Sequence, residues 1–202
     1  PGVIGEREFL RWAAAAELRS EHPLAQAIVR KAREVGMDIP EPEEFEAVPG
    51  HGVRAMYKGE EILLGNRKLF AEYKIPIDDL EDAIRSLEEE GKTAMIMAIG
   101  GEPVGVVAVA DTLKENSIGA VKVLQRMGVE VIMLTGDNRR TANAIARKIG
   151  VNRVLADVLP GDKAEEIRKL QGEGKVVAMV GDGINDAPAL TQADVGIAIG
   201  SG

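Results

Sequence analysis

Acidic and amide side chains crowd together after one apolar run in the second half of the chain. Residues 176–180 are apolar, and residues 181–186 read Gly-Asp-Gly-Ile-Asn-Asp. Glycines allow the backbone to turn sharply and to approach a ligand closely. Carboxylates this near each other repel unless a cation lies between them, and Mg²⁺ is bound through one or two carboxylates plus waters and phosphates. The segment predicts a magnesium site on Asp182 and Asp186.

A second predicted strand ends in a similar turn. Residues 131–134 are apolar and run into Thr135-Gly136-Asp137. Ligands of open parallel sheets collect at the carboxyl ends of the strands, where the first N–H groups of the next helix suit a phosphate. Thr135 could donate its hydroxyl there, and Lys163 could neutralise the phosphate. A lone Thr-Gly-Asp is more often a plain turn. Together with Lys163 and the Gly-Asp-Gly segment, however, it predicts a phosphate and magnesium site.

The elements that must position these residues fall into two segments. In residues 1–107, helices are followed by short strands with hairpin turns, which is typical of an α+β domain with an antiparallel sheet. In residues 108–202, apolar strands alternate with helices of about a dozen residues, which predicts a doubly wound, Rossmann-like α/β sheet. Ser20 is predicted to cap the helix that begins at Pro23, because its hydroxyl can accept an unpaired backbone N–H.

The composition excludes several classes of protein. The chain has 25 basic and 33 acidic residues, a net charge of −8 and 3% aromatic residues, which argues against a nucleic-acid binder. The absence of cysteine excludes disulfides, zinc–thiolate sites and thiol catalysis. No apolar run approaches the ~18 residues of a membrane helix, and the amino terminus does not resemble a signal peptide. We expect the chain itself to be soluble.

Three segments together resemble the phosphorylation domain of P-type ATPases, a member of the haloacid-dehalogenase-like superfamily. They are residues 135–138, Leu159-Pro160 with Lys163, and residues 181–190, which read GDGINDAPAL. The resemblance implies ATP and Mg²⁺ as cofactors, with Mg²⁺ on Asp182 and Asp186. The residues that it implies as catalytic are Thr135, Gly136, Asp137, Lys163, Asp182 and Asn185.

Motifs of the first segment resemble those of the heavy-metal-transporting branch of these ATPases. Residues 20–25 resemble its His-Pro motif, residues 49–53 its Gly-x-Gly-Val turn, and residues 65–66 its Gly-Asn pair. Taken singly, a histidine at a helix start is more often a packed or capping residue, and Gly-x-Gly is more often a hairpin or a bulge. The resemblance implies a pocket for the adenine and ribose of ATP, lined by Glu21, His22, Gly50, Gly52, Gly65 and Asn66.

The chain also departs from the family pattern. The family carries a phosphorylatable aspartate in Asp-Lys-Thr-Gly-Thr, a motif that these 202 residues do not contain. We therefore expect a fragment that lacks the central strand of the sheet. Its partner would be the rest of its own polypeptide, which would contain the membrane helices, the actuator domain and the phosphorylated aspartate. Residues 111–114 resemble the hinge between the two cytoplasmic domains. Residues 111–117 and 196–200 look more like copper than zinc or cadmium pumps, which implies Cu⁺ export from the cytoplasmic side of a membrane.

Two other functions are compatible with parts of this pattern. A soluble haloacid-dehalogenase-like phosphatase would use the second domain for chemistry and the first as a substrate-selecting cap. A non-enzymatic module would bind nucleotide without transferring its phosphate. The motifs of the first segment are expected of the ATPase and not of the phosphatase. Phosphoryl transfer to a chain that includes the phosphorylatable aspartate would exclude the binding module.

Overall fold

A computed structural model describes residues 4–110, 113–182 and 186–199. The chain divides into two compact units, Pro1–Thr112 and Leu113–Gly202. The division lies five residues beyond the expected boundary after residue 107, because the last strand of the first unit continues to Ala110, which pairs with Lys92. Residues 111 and 112 of the expected hinge lie outside the described residues.

The first unit contains a five-stranded antiparallel sheet in which each strand pairs with its neighbour in the chain. The strands are β1 (Glu44–Val48), β2 (Gly52–Tyr57), β3 (Glu60–Gly65), β4 (Lys92–Ile99) and β5 (Glu102–Ala110). The helices are α1 (Glu6–Glu17), α2 (Pro23–Glu34), α3 (Arg67–Glu72) and α4 (Asp78–Glu89). The predicted α+β order is confirmed.

Helices cover both faces of this sheet. Successive side chains of a strand point to opposite faces, so Leu64 packs in the core that α1 and α2 form, whereas Leu63 packs with α3 and α4. Residues 13–16 of α1 are alanines without solvent exposure, and their small side chains let the helix lie close to the sheet. On the other face, Phe70 of α3 is fully buried, which stabilises the fold by roughly 1.5–3 kcal/mol relative to an exposed side chain.

The cap of α2 differs from the prediction. His22, not Ser20, occupies the N-cap position, and its Nδ1 accepts a hydrogen bond from the Leu24 N–H at 3.2 Å. The reason is that Pro23 takes the first helical position, so the residue directly before it becomes the cap. The Ser20 hydroxyl instead accepts the His22 N–H at 3.4 Å.

The second unit alternates strands and helices, as predicted. Its helices are α5 (Ser117–Arg126), α6 (Arg139–Ile149), α7 (Lys163–Gly172) and α8 (Ala187–Gln192), and a 3₁₀ turn spans Pro160–Asp162. Its strands are β6 (Ile132–Leu134), β7 (Arg153–Leu155), β8 (Ala178–Gly181) and β9 (Val195–Ala198). The strands form two parallel pairs, β6–β7 and β8–β9, and in the described ranges no ladder joins one pair to the other.

Ion pairs connect the amino ends of the two strand pairs. Arg153 of β7 contacts Glu173 at 2.7 Å, and Lys175, which precedes β8, pairs with Glu130, which precedes β6. The hydrogen bond from Lys175 lowers the pKa of the Glu130 carboxyl. Solvent-exposed ion pairs of this kind contribute little to stability. Apolar packing also joins β6 to β8, because Leu134 packs against the core that contains Met179.

Apolar side chains of the β8–β9 pair are unevenly covered. Met179 is buried against Ile167 of α7 and Ala189 of α8. In contrast, Val180 is 51% exposed and Val195 is 52% exposed. Parallel strands usually have both faces covered. None of the helices in the described part of the chain has the length and apolar character that a membrane span requires.

Candidate functional site

Two glycines of the first unit face each other across β2 and β3. Gly52 pairs with Gly65 in the ladder. A Cβ on Gly52 would lie 2.2 Å from the Leu64 carbonyl oxygen, and its φ of +147° disfavours any side chain. A Cβ on Gly65 would lie 2.2 Å from the His51 carbonyl oxygen. Both positions therefore require glycine, because the two backbones approach each other too closely for a side chain.

Asn66 joins this glycine pair to the preceding turn. Its Nδ2 donates to the Gly50 carbonyl oxygen at 2.8 Å, and its backbone N–H donates to the His51 carbonyl oxygen at 2.8 Å. Its Oδ1 caps α3 by accepting the Lys68 N–H at 2.9 Å. The structure thus brings together Gly50, Gly52, Gly65 and Asn66, which we call the glycine turn; their role in binding remains a prediction.

Glu21 and His22 lie apart from the hydrogen bonds of the glycine turn. Both residues are exposed, at the start of α2. Among the described residues, no hydrogen bond or ion pair joins either one to Gly50, Gly52, Gly65 or Asn66. His22 has a structural role as the N-cap, and a binding role for it stays a prediction.

Glu17 is a candidate that the sequence reasoning missed. It ends α1 with 3% exposure, and its Oε2 has no hydrogen-bond partner. Burial raises the pKa of this carboxyl from 4.5 to about 7, and a hydrogen bond with Ser20 opposes part of that effect. Buried polar atoms normally have partners, and perturbed carboxyls cluster at functional sites. The available signal was its spacing, because Glu17 lies four residues after Ala13 and so continues the buried face of the helix.

The Thr135 turn of the second unit is held by its own side chains and by the segment after β7. The Thr135 hydroxyl donates to Asp137 Oδ2 at 2.9 Å and accepts the Asp137 N–H at 3.1 Å. The Thr135 carbonyl accepts the Val158 N–H at 3.1 Å. Gly136 lies under the same segment, because a Cβ there would be 3.4 Å from the Val158 carbonyl oxygen. The turn is thereby fixed to the segment that leads to Lys163.

Lys163, Asp182 and Asp186 meet beside β8. The Lys163 ammonium contacts Asp186 Oδ1 at 2.6 Å, and Asp186 Oδ2 accepts the Asp182 N–H at 3.3 Å. Asp186 is only 8% exposed, so this ion pair is largely shielded from solvent. A Cβ on Gly181 would lie 2.4 Å from Asp186 Oδ2, which explains the glycine. Asn185 lies outside the described residues.

The Thr135 turn lies near this cluster. Leu134, the residue before Thr135, packs against the core formed by Ile167, Met179 and Ala189. Those residues belong to α7, β8 and α8, the elements that carry Lys163, Asp182 and Asp186. The end of β6 therefore packs on the elements that carry Lys163, Asp182 and Asp186, and the carboxyl ends of parallel strands are where α/β units bind their ligands.

The donor set of this region suits Mg²⁺. Carboxylate oxygens are hard ligands, and Mg²⁺ needs only one or two of them because it keeps waters and binds substrate phosphates. Among the described residues no group of three metal-ligating side chains occurs. The two oxygens of Asp186 contact Lys163 and the Asp182 N–H, which brings both carboxylate residues to the end of β8. The predicted pair of Asp182 and Asp186 stays a prediction.

The fold and this region define the class of the protein. The chain belongs to the haloacid dehalogenase-like hydrolase family, whose model matches residues 3–194. Within that class it is similar to a copper-exporting P-type ATPase of Staphylococcus aureus (strain JH9), with 51% identity over 199 residues. The match covers 98% of this chain and 25% of that protein, so the chain spans about a quarter of the length of such relatives.

Solved structures that resemble the chain also belong to ATPases. The chain resembles a zinc-transporting PIB-type ATPase in its E2.Pi state with a TM-score of 0.64 and 40% identity, over 98% of this chain and 32% of that one. It resembles the catalytic domain of the CPx-ATPase CopB-B with a TM-score of 0.65 and 28% identity, over 96% of this chain and 71% of that one. The resemblance to heavy-metal P-type ATPases is confirmed.

Proposed function

We propose that the chain is the ATP-binding and phosphorylation part of an ATP-driven copper pump. The observation that carries this proposal is the shielded contact of Lys163 with Asp186, whose other carboxylate oxygen accepts the Asp182 N–H. The Lys163 ammonium, the carboxylates that follow β8 and the Thr135 hydroxyl that follows β6 suit a terminal phosphoryl group. The 51% identity to a copper-exporting ATPase favours this function over a soluble phosphatase with a cap domain.

The first unit would bind the nucleoside end of ATP. The glycine turn brings the start of β2 and the end of β3 together without intervening side chains, and Asn66 fixes its shape through Gly50. A flat, amphipathic ligand would need a few polar contacts beside this turn. Glu17 is the strongest candidate for a polar contact, because its unpartnered Oε2 is buried. Glu21 and His22 remain candidates on the strength of the motif.

The second unit would bind the phosphoryl end. Lys163 would compensate the charge of the phosphoryl oxygens, and Thr135 would donate its hydroxyl to them after leaving Asp137. Asp186 orients Lys163, and Asp182 with Asp186 would hold Mg²⁺. When bound, Mg²⁺ neutralises charge that develops on the phosphoryl group. Gly136 and Asp137 shape the Thr135 turn, and Asn185 would tie the following loop together.

The phosphoryl acceptor would be an aspartate of the same polypeptide outside these residues. The family resemblance assigns it to an Asp-Lys-Thr-Gly-Thr segment, on a strand beside β6 and β8. The exposed apolar side chains Val180 and Val195 support further partners from that polypeptide, because such surfaces are normally covered. Its membrane helices would export Cu⁺, with this chain on the cytoplasmic side.

Phosphorylation of the full-length protein tests the proposal. The polypeptide that contains this chain is incubated with γ-labelled ATP, Mg²⁺ and Cu⁺, and the acid-stable, hydroxylamine-sensitive acyl phosphate is counted. We expect label in the wild type, and a loss of at least about 100-fold in Lys163→Met and Asp182→Asn. Lys169→Met, on an exposed face of the same helix α7, is the matched control and should retain label. Equal labelling of Lys163→Met and wild type would refute the assignment.

A further inference from the structure

Arg67 and two carboxylates of α4 form an ion cluster that directly follows Asn66 in the chain. We propose that Arg67, Glu81 and Glu88, which we call the Arg67 clamp, position Asn66 and thereby the glycine turn for nucleotide binding. The inference rests on the proposed function of that turn. None of the three residues needs to touch the nucleotide, so each would be a positioning residue.

The clamp is doubly bidentate. Arg67 Nε and Nη2 donate to the two oxygens of Glu81 at 2.9 and 3.1 Å. Arg67 Nη1 and Nη2 donate to the two oxygens of Glu88 at 2.5 and 3.1 Å. The hydrogen bonds to Glu88 have the largest effect on the pKa of the guanidinium, which they raise. Those to Glu81 also raise this pKa, whereas burial lowers it. Fork-to-fork pairing of this kind fixes orientation as well as distance.

Burial explains why the clamp is specific. Glu88 is 1% exposed, and a carboxylate so far from water is tolerated only with a charged, hydrogen-bonded partner. Replacing a whole buried ion cluster by apolar residues of similar volume is often neutral for stability, whereas removing one partner is strongly destabilising. The cluster therefore fixes where Arg67 lies, and a variant that breaks it is also expected to lose stability.

The link from the clamp to the glycine turn is short. Arg67 is the first residue of α3, and Asn66 is its N-cap. The helix has six residues, and a helix this short does not hold its own first turn. The apolar anchors of α3, Leu69 and Phe70, are the third and fourth residues of the helix. The clamp holds the first residue of the helix, directly next to Asn66, whose Nδ2 reaches the Gly50 carbonyl at 2.8 Å.

Nucleotide affinity and the state of Asn66 are measured on the 202-residue chain in Glu88→Gln and Arg67→Lys. Titration with ATP should give a Kd about tenfold higher for each variant, which corresponds to roughly one charge-assisted hydrogen bond. The side-chain amide resonances of Asn66 should shift in the nucleotide-free variants, because its bond to Gly50 changes. Ile84→Val, a buried substitution on α4 between the two carboxylates, is the matched control. It should lower stability while leaving Kd within about twofold and the Asn66 resonances in place.

Unchanged Asn66 resonances and an unchanged Kd in both clamp variants would overturn the inference, and so would an equal effect of Ile84→Val. If Glu88→Gln does not fold, Arg67→Lys decides, since it keeps the charge and loses only the fork. A wild-type chain that binds no nucleotide would refute the proposed function instead. In that case the Asn66 resonances, which need no nucleotide, still decide whether the clamp fixes Asn66.

Discussion

Replacement of Glu17 by glutamine should remove a pH dependence from the stability of the first unit. The pKa of Glu17 is raised from 4.5 to about 7 by burial. Between these values the folded state binds the proton more tightly than the unfolded state, so the free energy of unfolding falls as the pH rises. A pKa difference of about 2.5 corresponds to a loss of about 3 kcal/mol once the pH exceeds 7, at about 1.4 kcal/mol for each unit of pKa.

Trp12 provides the assay. It is the single tryptophan of the chain and lies on α1 with Glu17. Its ring packs edge to face on Tyr57, with 4.8 Å between the ring centroids. Denaturant unfolding of wild type and of Glu17→Gln is followed by its fluorescence at pH 5, 6, 7 and 8. The quantity of interest is the free energy of unfolding of the variant minus that of wild type. This difference should grow by about 2–3 kcal/mol from pH 5 to pH 8. Its absolute value also contains the burial of the amide, so the change with pH is the informative quantity.

The matched control is Glu21→Gln, which removes an exposed carboxylate four residues further along the chain. Because that side chain is exposed in the folded chain, its replacement should change the free energy of unfolding by no more than about 0.5 kcal/mol. A difference for Glu17→Gln that is flat with pH would refute the reasoning, because a carboxyl whose pKa is unchanged by folding contributes no slope. It would also remove the main argument for a ligand contact at Glu17.

Two further substitutions test local geometry. Gly181→Ala should lower the stability of the second unit by about 1–3 kcal/mol and disrupt the ion pair of Asp186 with Lys163, since the new Cβ would lie 2.4 Å from Asp186 Oδ2. The control is Gly161→Ala, which should be tolerated because a Cβ there meets nothing within 4 Å. Both are measured by urea unfolding followed by circular dichroism, and equal losses would contradict the steric argument. His22→Ala should cost about 1 kcal/mol because α2 loses its cap, whereas His22→Asn should retain most of that stability. An unchanged midpoint of urea unfolding in His22→Ala would mean that the Leu24 N–H forms a hydrogen bond with another group.

The order of the elements and the residues of the Thr135 turn could be predicted from the sequence. Periodicity reports which face of a strand or helix is buried, and the carboxyl ends of parallel strands meet at one edge. These local rules were enough to anticipate that Lys163, Asp182 and Asp186 lie close together. The glycine turn could be anticipated only from family resemblance, because Gly52 and Gly65 meet through strand pairing.

Contacts across long stretches of chain could not be predicted. Arg67 reaches Glu88, 21 residues away, only because α4 packs on the sheet beside α3. The spacing of Glu17 from Ala13 indicates only which face of α1 it shares, whereas the low exposure of its carboxyl is set by the core around α1. Tertiary packing determines these two features. The cap of α2 is different, because serine is a common N-cap but the position of Pro23 makes His22 the cap.

The sheet of the first unit also has a kinetic consequence. Three of its four ladders join strands separated by a turn of two or three residues, and only β3 and β4 are separated by helices. Hairpins of this kind form in about 1–10 μs. In the second unit, α6 lies between β6 and β7 in the chain, and parallel pairing across such a separation is intrinsically slower. During refolding from denaturant, the Trp12 signal should therefore recover before the slower phase that reports the parallel strands.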